Sequence, residues 1–162
     1  EKFSGYLENL YLSFFVKRFS FKVKEQEKSP RKAYTLDTGL ANAMGFSFSE
    51  NRGRLAENMV AVEFMRRNTG FSSRELFYWK DAQHREADFV IKEKLVLTTI
   101  MQICWDIHDP RTRLREVKSL RCAMDALKMR EALLLSMEEE GEERVQEGRI
   151  RYVPIWKWLL EE

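Results

Sequence analysis

The chain has 162 residues, 44% of them hydrophobic, and its 28 lysines and arginines nearly balance its 26 acids, leaving a net charge of +2. This length supports one main domain with its own core, and the charge balance excludes polyanion binding driven by net charge alone. Two cysteines without a CxxC pair argue against a structural zinc site. With no signal peptide or long apolar run, we expect a reduced, cytoplasmic protein without a membrane span.

Residues 1–45 predict a helix followed by two strands. Apolar residues recur at helical spacing over 3–11, and the alternation of Phe19, Phe21 and Val23 with polar residues is typical of a strand. A break at 27–30 precedes a second strand over 32–36 and a short helical turn from Asp37. This order resembles the end of a winged helix with its wing, so we assign residues 1–45 to a winged-helix remnant and 46–162 to the main domain.

The main domain begins with a linker and a helix. Residues 45–53 have linker composition, and Leu55, Met59 and Val62 predict the apolar face of a helix that ends near Gly70. Glu57 lies off that face. Two strands over 75–80 and 86–92, joined by a turn, then predict an antiparallel hairpin.

A third strand is predicted from Thr98 to Ile107. Strict alternation would place four apolar residues on one face (Met101, Ile103, Trp105, Ile107) and three others on the opposite face (Gln102, Cys104, Asp106).

The remaining elements predict a parallel strand pair and a short terminal hairpin. Asp109 and Pro110 have the residue types of a helix start, and the unbroken apolar run 132–137 is typical of a strand buried on both faces. A right-handed crossover between the third strand and this run makes the sheet mixed. The acidic stretch 138–147 reads as a solvated turn before a last strand, 149–153, and a short helix that begins at Pro154.

Glu57, Asp88 and the Gln102-Ile103-Cys104 tripeptide nearly reproduce a two-carboxylate-plus-lysine site for metal-dependent cutting of nucleic acid. Hard divalent cations such as magnesium or manganese take oxygen ligands from several elements. Phosphodiester hydrolysis also needs a positive group that offsets charge in the transition state. Cys104 stands where that lysine is expected, so fold and activity must be argued separately.

Local clusters of basic residues suggest contact with nucleic-acid phosphates. Seven basic residues lie between 111 and 130 against two acids. A second cluster lies on the predicted wing. The candidates for phosphate contact are Arg111, Arg115 and Lys118 on the helix, and Lys22, Lys24, Arg31 and Lys32 on the wing. A solvated basic face is the alternative for both clusters.

The order of these elements is that of the PD-(D/E)XK nuclease superfamily, and the chain resembles the carboxy-terminal part of archaeal and bacterial AAA-type ATPases that carry such a domain. The resemblance rests on phrases spread over nearly the whole chain: 32–40 (KAYTLDTGL), 53–58 (GRLAEN), 78–80 (YWK), 85–91 (READFVI), 101–104 (MQIC) and 155–158 (IWKW). It implies a restriction-endonuclease-like α/β fold and an upstream nucleotide-binding module. A GxxxxGK phosphate loop is absent, so ATP would bind only in that upstream part.

Carried over residue by residue, the resemblance makes Glu57 the helix carboxylate and Asp88 the central metal ligand. Gln102 takes the place of a second acid, and Cys104 that of the lysine, so the implied site is degenerate and its metal affinity reduced. Lys80 is the nearest candidate for a lysine supplied from another element. The simpler alternatives are that Glu57 is exposed, that Asp88 pairs with Arg54 or Arg85, and that Cys104 is a small core residue.

Three functional hypotheses follow from these residues together with the resemblance. The first is a module of an AAA-type ATPase that engages nucleic acid or regulates the ATPase without cutting. The second is an active magnesium-dependent DNA endonuclease that uses Glu57, Asp88 and Gln102. The third is a protein-interaction module that positions or oligomerises the ATPase, and homo-oligomer formation is left open.

Overall fold

A mixed sheet forms the centre of the protein, a computed structural model of which describes residues 6, 12–39, 52–68 and 73–161. Within these ranges the strands are β1 (Ser13–Arg18), β2 (Lys32–Thr35), β3 (Arg74–Lys80), β4 (Glu86–Glu93), β5 (Val96–Ile103), β6 (Glu131–Ser136), β7 (Gly141–Val145) and β8 (Gly148–Pro154). The helices are α1 (Val23–Lys28), α2 (Arg52–Arg67), α3 (Pro110–Leu127) and α4 (Ile155–Leu160).

The eight strands lie in the order β2-β1-β3-β4-β5-β6-β8-β7. Parallel pairs join β1 to β3, β5 to β6 and β6 to β8, and the other neighbours are antiparallel. The β3–β4 hairpin and the parallel β5–α3–β6 crossover confirm two predictions from the sequence. The prediction of an α/β fold with a mixed sheet flanked by helices is therefore confirmed.

The sheet buries a different apolar cluster on each face. Alternate residues of neighbouring strands divide between the faces, as Leu134 and Leu135 do on β6. Helix α3 covers one face with Leu120 and Met124, both fully buried, and helices α2 and α4 cover the other. Because Asp88 lies on a central strand, groups from both faces reach it.

Helix α3 is fixed at both ends by local contacts. The Asp109 carboxylate accepts a hydrogen bond from the backbone N–H of Thr112 at 2.7 Å, and Pro110 occupies the first helical position. At the other end Lys128 adopts a left-handed conformation with φ of 58°. The start of this helix was predicted from Asp109 and Pro110, and it is confirmed.

The amino-terminal prediction was wrong over 19–23. The strand there is Ser13–Arg18, and a helix begins at Val23. Phe21 and Val23 alternate by chance, since both are exposed and only Phe19 packs in the core, edge-on against Phe77. The Ser20 hydroxyl accepts from the N–H of Lys22 and donates to Glu25, which favours the helical turn.

The predicted second strand over 32–36 is confirmed as β2. Most of the predicted helix over 3–11, most of the linker over 45–53 and the boundary at residue 45 lie outside the described residues.

Three further expectations need correction. Helix α2 buries Ala56, Val60 and Phe64, which are spaced by four, and Ala61 is also buried. The predicted face carries Met59, which is 42% exposed. The third strand ends at Ile103, so the strict alternation does not reach 107. The acidic stretch 138–147 contains strand β7, whose glutamates have partners: Glu142 pairs with Arg149 of β8 at 3.2 Å and Glu143 with Arg113 of α3 at 3.6 Å.

Candidate functional site

Lys32 lies at the centre of three carboxylates supplied by two other elements. Its ammonium nitrogen is 2.9 Å from Oε1 of Glu57 on α2, 2.6 Å from Oε1 of Glu86 and 3.1 Å from Oδ1 of Asp88, both on β4. The lysine side chain is 22% exposed. We refer to Lys32, Glu57, Glu86 and Asp88 as the lysine–carboxylate cluster.

Strand β2 and helix α2 are joined beside this cluster by a paired amide contact. The Asn58 side chain accepts from the N–H of Thr35 at 2.9 Å and donates to the carbonyl of Thr35 at 2.8 Å. Asn58 is 4% exposed, so its amide is buried and fully engaged by the strand backbone. This contact fixes the adjacent Glu57, whose Oε1 also accepts a 2.6 Å hydrogen bond from the Tyr34 hydroxyl.

Asp88 is the most deeply buried acid of the cluster. Its Oδ2 accepts a hydrogen bond from the N–H of Ile103 at 2.9 Å, and its Oδ1 faces Lys32. Burial, followed by repulsion from Glu57, raises the pKa of Asp88 to about 7. One ammonium shared among three carboxylates does not fully offset those effects at Asp88.

The same environment acts on Lys32 and Tyr34. Burial opposes the charge of Lys32, but attraction to Asp88, Glu57 and Glu86 prevails and raises the pKa of the ammonium above its ordinary value. Burial and the nearby charge of Glu57 raise the pKa of Tyr34 as well. Lys32 is therefore charged and Tyr34 neutral at physiological pH, and both act as donors to the acids.

Gln102 faces helix α3, away from Glu57. Its Oε1 accepts from the backbone N–H of Asp88 at 3.2 Å, and its Nε2 donates to Oε2 of Glu116 at 2.9 Å. Glu116 is 8% exposed, and Arg115 pairs with it at 2.6 Å. These three residues, Gln102, Glu116 and Arg115, form an amide–carboxylate cluster on the opposite face of the sheet. Gln102 thus makes no contact with Lys32 or Glu57.

Cys104 is a buried thiol with a local partner. Its Sγ donates to the carbonyl of Asp106 at 3.1 Å, and its backbone N–H bonds to Leu135. Burial, together with the charge of Glu116, raises the pKa of Cys104 to about 11. The thiol is therefore neutral at physiological pH, and Cys104 packs as a small core residue.

The cluster as it stands does not fit a resident divalent cation. Oxygens of Glu57 and Asp88 are no more than about 6 Å apart, since one nitrogen lies 2.9 Å from the first and 3.1 Å from the second. That nitrogen, however, occupies the position between them, and Gln102 is turned to the other face. Among the described residues, no group of three or more histidine, cysteine, aspartate and glutamate side chains has the arrangement of a metal site.

An open cleft of about 520 Å³ leads to the cluster, and Tyr34 and Arg54 also line it. Arg54 thus lies on its wall, but the ion-pair partner of Asp88 is Lys32. Arg85, the other proposed partner, binds Asp81 at 2.5 Å. Lys80, the proposed replacement lysine, lies 3.0 Å from Glu86 at the margin of the cluster.

The basic candidates fall into two groups. Lys32 belongs to the lysine–carboxylate cluster, Arg115 pairs with Glu116, and Lys22 pairs with Glu25 at 3.1 Å. The others have exposed side chains: Lys24, Arg31, Arg111 and Lys118. Two more arginines of α3 are committed to acids, Arg113 to Glu139 and Arg121 to Glu147. Much of the predicted basic face of α3 is therefore neutralised within the protein.

The roles of four participants were not identified from the sequence. Lys32 was predicted to contact phosphate from the wing, and Tyr34, Glu86 and Glu116 were not singled out. Lys32 and Tyr34 are two residues apart on one short strand, so their side chains share a face, and this spacing could have identified them. The contact of Glu116 with Gln102 depends on how α3 packs on the sheet, which no local pattern shows.

Comparison with known proteins identifies a family without an assigned activity. Residues 52–158 match the family model described as Domain of unknown function (DUF4143). A protein of Methanocaldococcus jannaschii, described as Uncharacterized protein MJ1544, is 33% identical over 165 aligned positions that span 96% of this chain and 34% of the relative. The chain thus corresponds to about a third of that protein. No solved structure matches the chain. No helix within the described ranges is both long and apolar enough to span a membrane.

Proposed function

The chain belongs to the DUF4143 family, and from this premise we propose that it is the carboxy-terminal, nuclease-like module of an AAA-type ATPase and does not cut nucleic acid. In this proposal the preceding residues are a winged-helix remnant, and the α/β domain has the restriction-endonuclease-like fold. Its role is to engage nucleic acid or to regulate the ATPase to which it is attached. ATP binds in the upstream part of the protein.

The observation that carries this proposal is the position of the Lys32 ammonium, within 3.1 Å of all three carboxylates of its cluster. A protein cation in that position supplies the charge that a divalent ion would otherwise supply. The contact between Gln102 and Glu116 supports the same conclusion, because it holds the third implied ligand on the other face. With all three carboxylates paired to Lys32 and no acid at position 102, the pocket joins β2, β4 and α2 and has no catalytic role.

The link to an ATPase is supported by the phrases that resemble such proteins and by the size of the M. jannaschii relative. That relative extends well beyond the region matched here, which covers 34% of its length. The remainder is long enough for a nucleotide-binding module.

The decisive experiment is a cleavage assay on the full-length protein. We expect no cleavage of single- or double-stranded DNA or RNA with magnesium or manganese beyond that given by Asp88→Ala. Asp125→Ala, which changes an exposed aspartate of α3, serves as the matched control for contaminating nuclease. Metal-dependent cleavage that Asp88→Ala abolishes and Asp125→Ala leaves intact would overturn the proposal.

A second candidate function is an active magnesium-dependent DNA endonuclease, and one observation favours it. Lys32 places a positive group next to Glu57 and Asp88, where the sequence lacks a lysine at position 104. In that case Lys32→Met would remove cleavage as completely as Asp88→Ala does. The same assay therefore distinguishes the two functions, since the noncatalytic module gives no cleavage for either variant to remove.

A further inference from the structure

A second cleft lies next to the lysine–carboxylate cluster and is lined by cations. It has a volume of about 640 Å³ and shares Lys32 and Glu86 with the cluster. Arg18 at the end of β1, Arg31 before β2 and Lys80 at the end of β3 complete its basic lining. Three segments that are distant in sequence thus bring their positive side chains to one cavity.

The acids in this cleft leave a surplus of positive charge. Its two carboxylates belong to Asp81 and Glu86. Asp81 binds Arg85 at 2.5 Å, and Glu86 pairs with both Lys32 and Lys80. Lys32 is also paired with Glu57 and Asp88. Both lysines are therefore engaged by acids, whereas Arg18 and Arg31 form no ion pair among the described residues, and the cavity is large enough for a small anionic group.

Two of the arginines have unused donors. Within the ranges that the structure describes, Arg31 makes no hydrogen bond or ion pair, and its side chain is exposed. Arg18 donates from Nη2 to the carbonyl of Lys80 at 2.5 Å, which fixes the guanidinium in the wall of the cleft. Its Nε is buried without a partner among the described residues. Buried donors left unpaired are uncommon. Because this Nε has almost no accessible surface, a ligand in the cleft would meet the positive charge of Arg18 and the exposed donors of Arg31.

We propose that this cleft binds a phosphate group, carried either by a nucleic-acid backbone or by a small phosphorylated ligand. Arginine guanidinium groups match phosphate oxygens with paired N–H donors, and lysines add charge without a fixed geometry. Glu86 closes the side toward the carboxylates, so the phosphate binds on the Arg18 and Arg31 side. This inference names the ligand of the engagement role proposed above, and in that respect it rests on the proposed function.

The test measures binding of a fluorescein-labelled single-stranded oligonucleotide to the full-length protein in EDTA, where metal-dependent cleavage cannot occur. We expect Arg31→Glu to weaken binding at least tenfold and to reduce the slope of log affinity against log salt by about one. Arg31→Gln should weaken it less. Arg144→Glu makes the same substitution at an exposed position of β7, at the opposite edge of the sheet, and should leave binding within twofold.

A second arm uses inorganic phosphate, titrated calorimetrically into wild-type protein, Arg31→Glu and Arg144→Glu. If Arg31→Glu weakens phosphate binding, the control variant does not, and oligonucleotide binding is unchanged in both, the cleft is a site for a small phosphorylated ligand. If Arg31→Glu weakens oligonucleotide binding and the control variant does not, the cleft binds a backbone phosphate.

The proposal is overturned if Arg31→Glu and Arg144→Glu bind each of the two ligands as tightly as each other. Thermal unfolding of each variant verifies that the fold is retained. Binding is measured in EDTA, separately from the cleavage assay. Loss of the phosphate-site inference therefore leaves the noncatalytic proposal unaffected, and observed cleavage would leave the phosphate-site inference unaffected.

Discussion

The lysine–carboxylate cluster and the amide–carboxylate cluster lie on opposite faces of the same sheet. Both stabilise buried carboxylates, but with different partner groups. On the α2 face, three acids are balanced by the ammonium of Lys32. On the α3 face, Glu116 is held by the neutral amide of Gln102 and by Arg115, whose side chain is 72% exposed. Asp88 joins the two, through its carboxylate on one side and its backbone N–H on the other. The residues that resemble one catalytic site in the sequence, Glu57, Asp88 and Gln102, therefore belong to two separate structural clusters.

The largest effect should come from removing the cation of the first cluster. Lys32→Met leaves Glu57, Glu86 and the buried Asp88 without a buried positive partner, and we expect the free energy of unfolding to fall by about 3–5 kcal/mol at neutral pH. Urea denaturation measures this loss, which should diminish in acid as the carboxyls protonate. Lys118→Met, at an exposed position on α3, is the control. A change below about 0.5 kcal/mol, the range of ordinary surface substitutions, would mean that Lys32 does not stabilise the cluster.

The second cluster should respond to an added charge. Gln102→Glu restores the acid that the nuclease pattern expects, but it places a second buried carboxylate beside Glu116, in a contact that is now 2.9 Å. We expect a loss of about 2–4 kcal/mol at neutral pH, since an unpaired buried charge is costly. Gln102→Glu combined with Glu116→Gln should recover most of that loss. If Gln102→Glu alone were neutral in urea denaturation, the orientation of Gln102 described above would be wrong.

The pH dependence of stability should reveal Asp88. Its pKa in the folded protein, about 7, lies above the ordinary value of 3.8. The folded state therefore binds this proton more tightly, and the contribution of Asp88 to stability decreases as pH rises from about 4 to about 7. The slope for one proton is at most about 1.4 kcal/mol per pH unit.

Asp88→Asn should remove that decrease while keeping an oxygen that can accept from Ile103. Urea unfolding at several pH values, with the exposed substitution Asp125→Asn as control, checks the expectation. If wild type and Asp88→Asn had parallel profiles between pH 4 and 7, the pKa of Asp88 would not be raised in the folded protein.

The smallest effect is expected at the margin of the cluster. Lys80 pairs with Glu86 at 3.0 Å, but its side chain is 36% exposed and Glu86 retains Lys32. Lys80→Gln should therefore change the free energy of unfolding by no more than about 0.5 kcal/mol. Thermal and urea unfolding measure it. A loss as large as that of Lys32→Met would show that the two lysines act as one unit.

The sequence predicted the regular elements well where the pattern and the partners were local. The β3–β4 hairpin, the start of α3 at Asp109 and the buried strand β6 follow from alternation, a capping residue and an apolar run. The error over 19–23 arose because the exposed Phe21 and Val23 imitate a buried strand face. No pattern within a few residues can distinguish an exposed aromatic residue from a buried one.

The site was predictable only in part, for a related reason. Glu57 and Asp88 could be paired from the resemblance, and the structure brings them to one ammonium. The identity of that ammonium depends on β2 lying at the edge of the sheet beside α2, a contact between residues 25 and 56 positions apart. Gln102 alternates with Met101 and Ile103, which pack on the α2 face, so its side chain lies on the α3 face beside Glu116. Which helix covers which face is decided by tertiary packing.

We infer that Lys32 takes the place of a divalent cation. The most direct test is manganese binding to wild-type protein and to Lys32→Ala, measured by electron paramagnetic resonance in the absence of nucleotide. We expect wild type to show no bound ion at the carboxylates, and Lys32→Ala to bind one ion that Lys32→Ala combined with Asp88→Asn does not bind. A single manganese bound by wild-type protein and lost in Asp88→Asn would contradict the account.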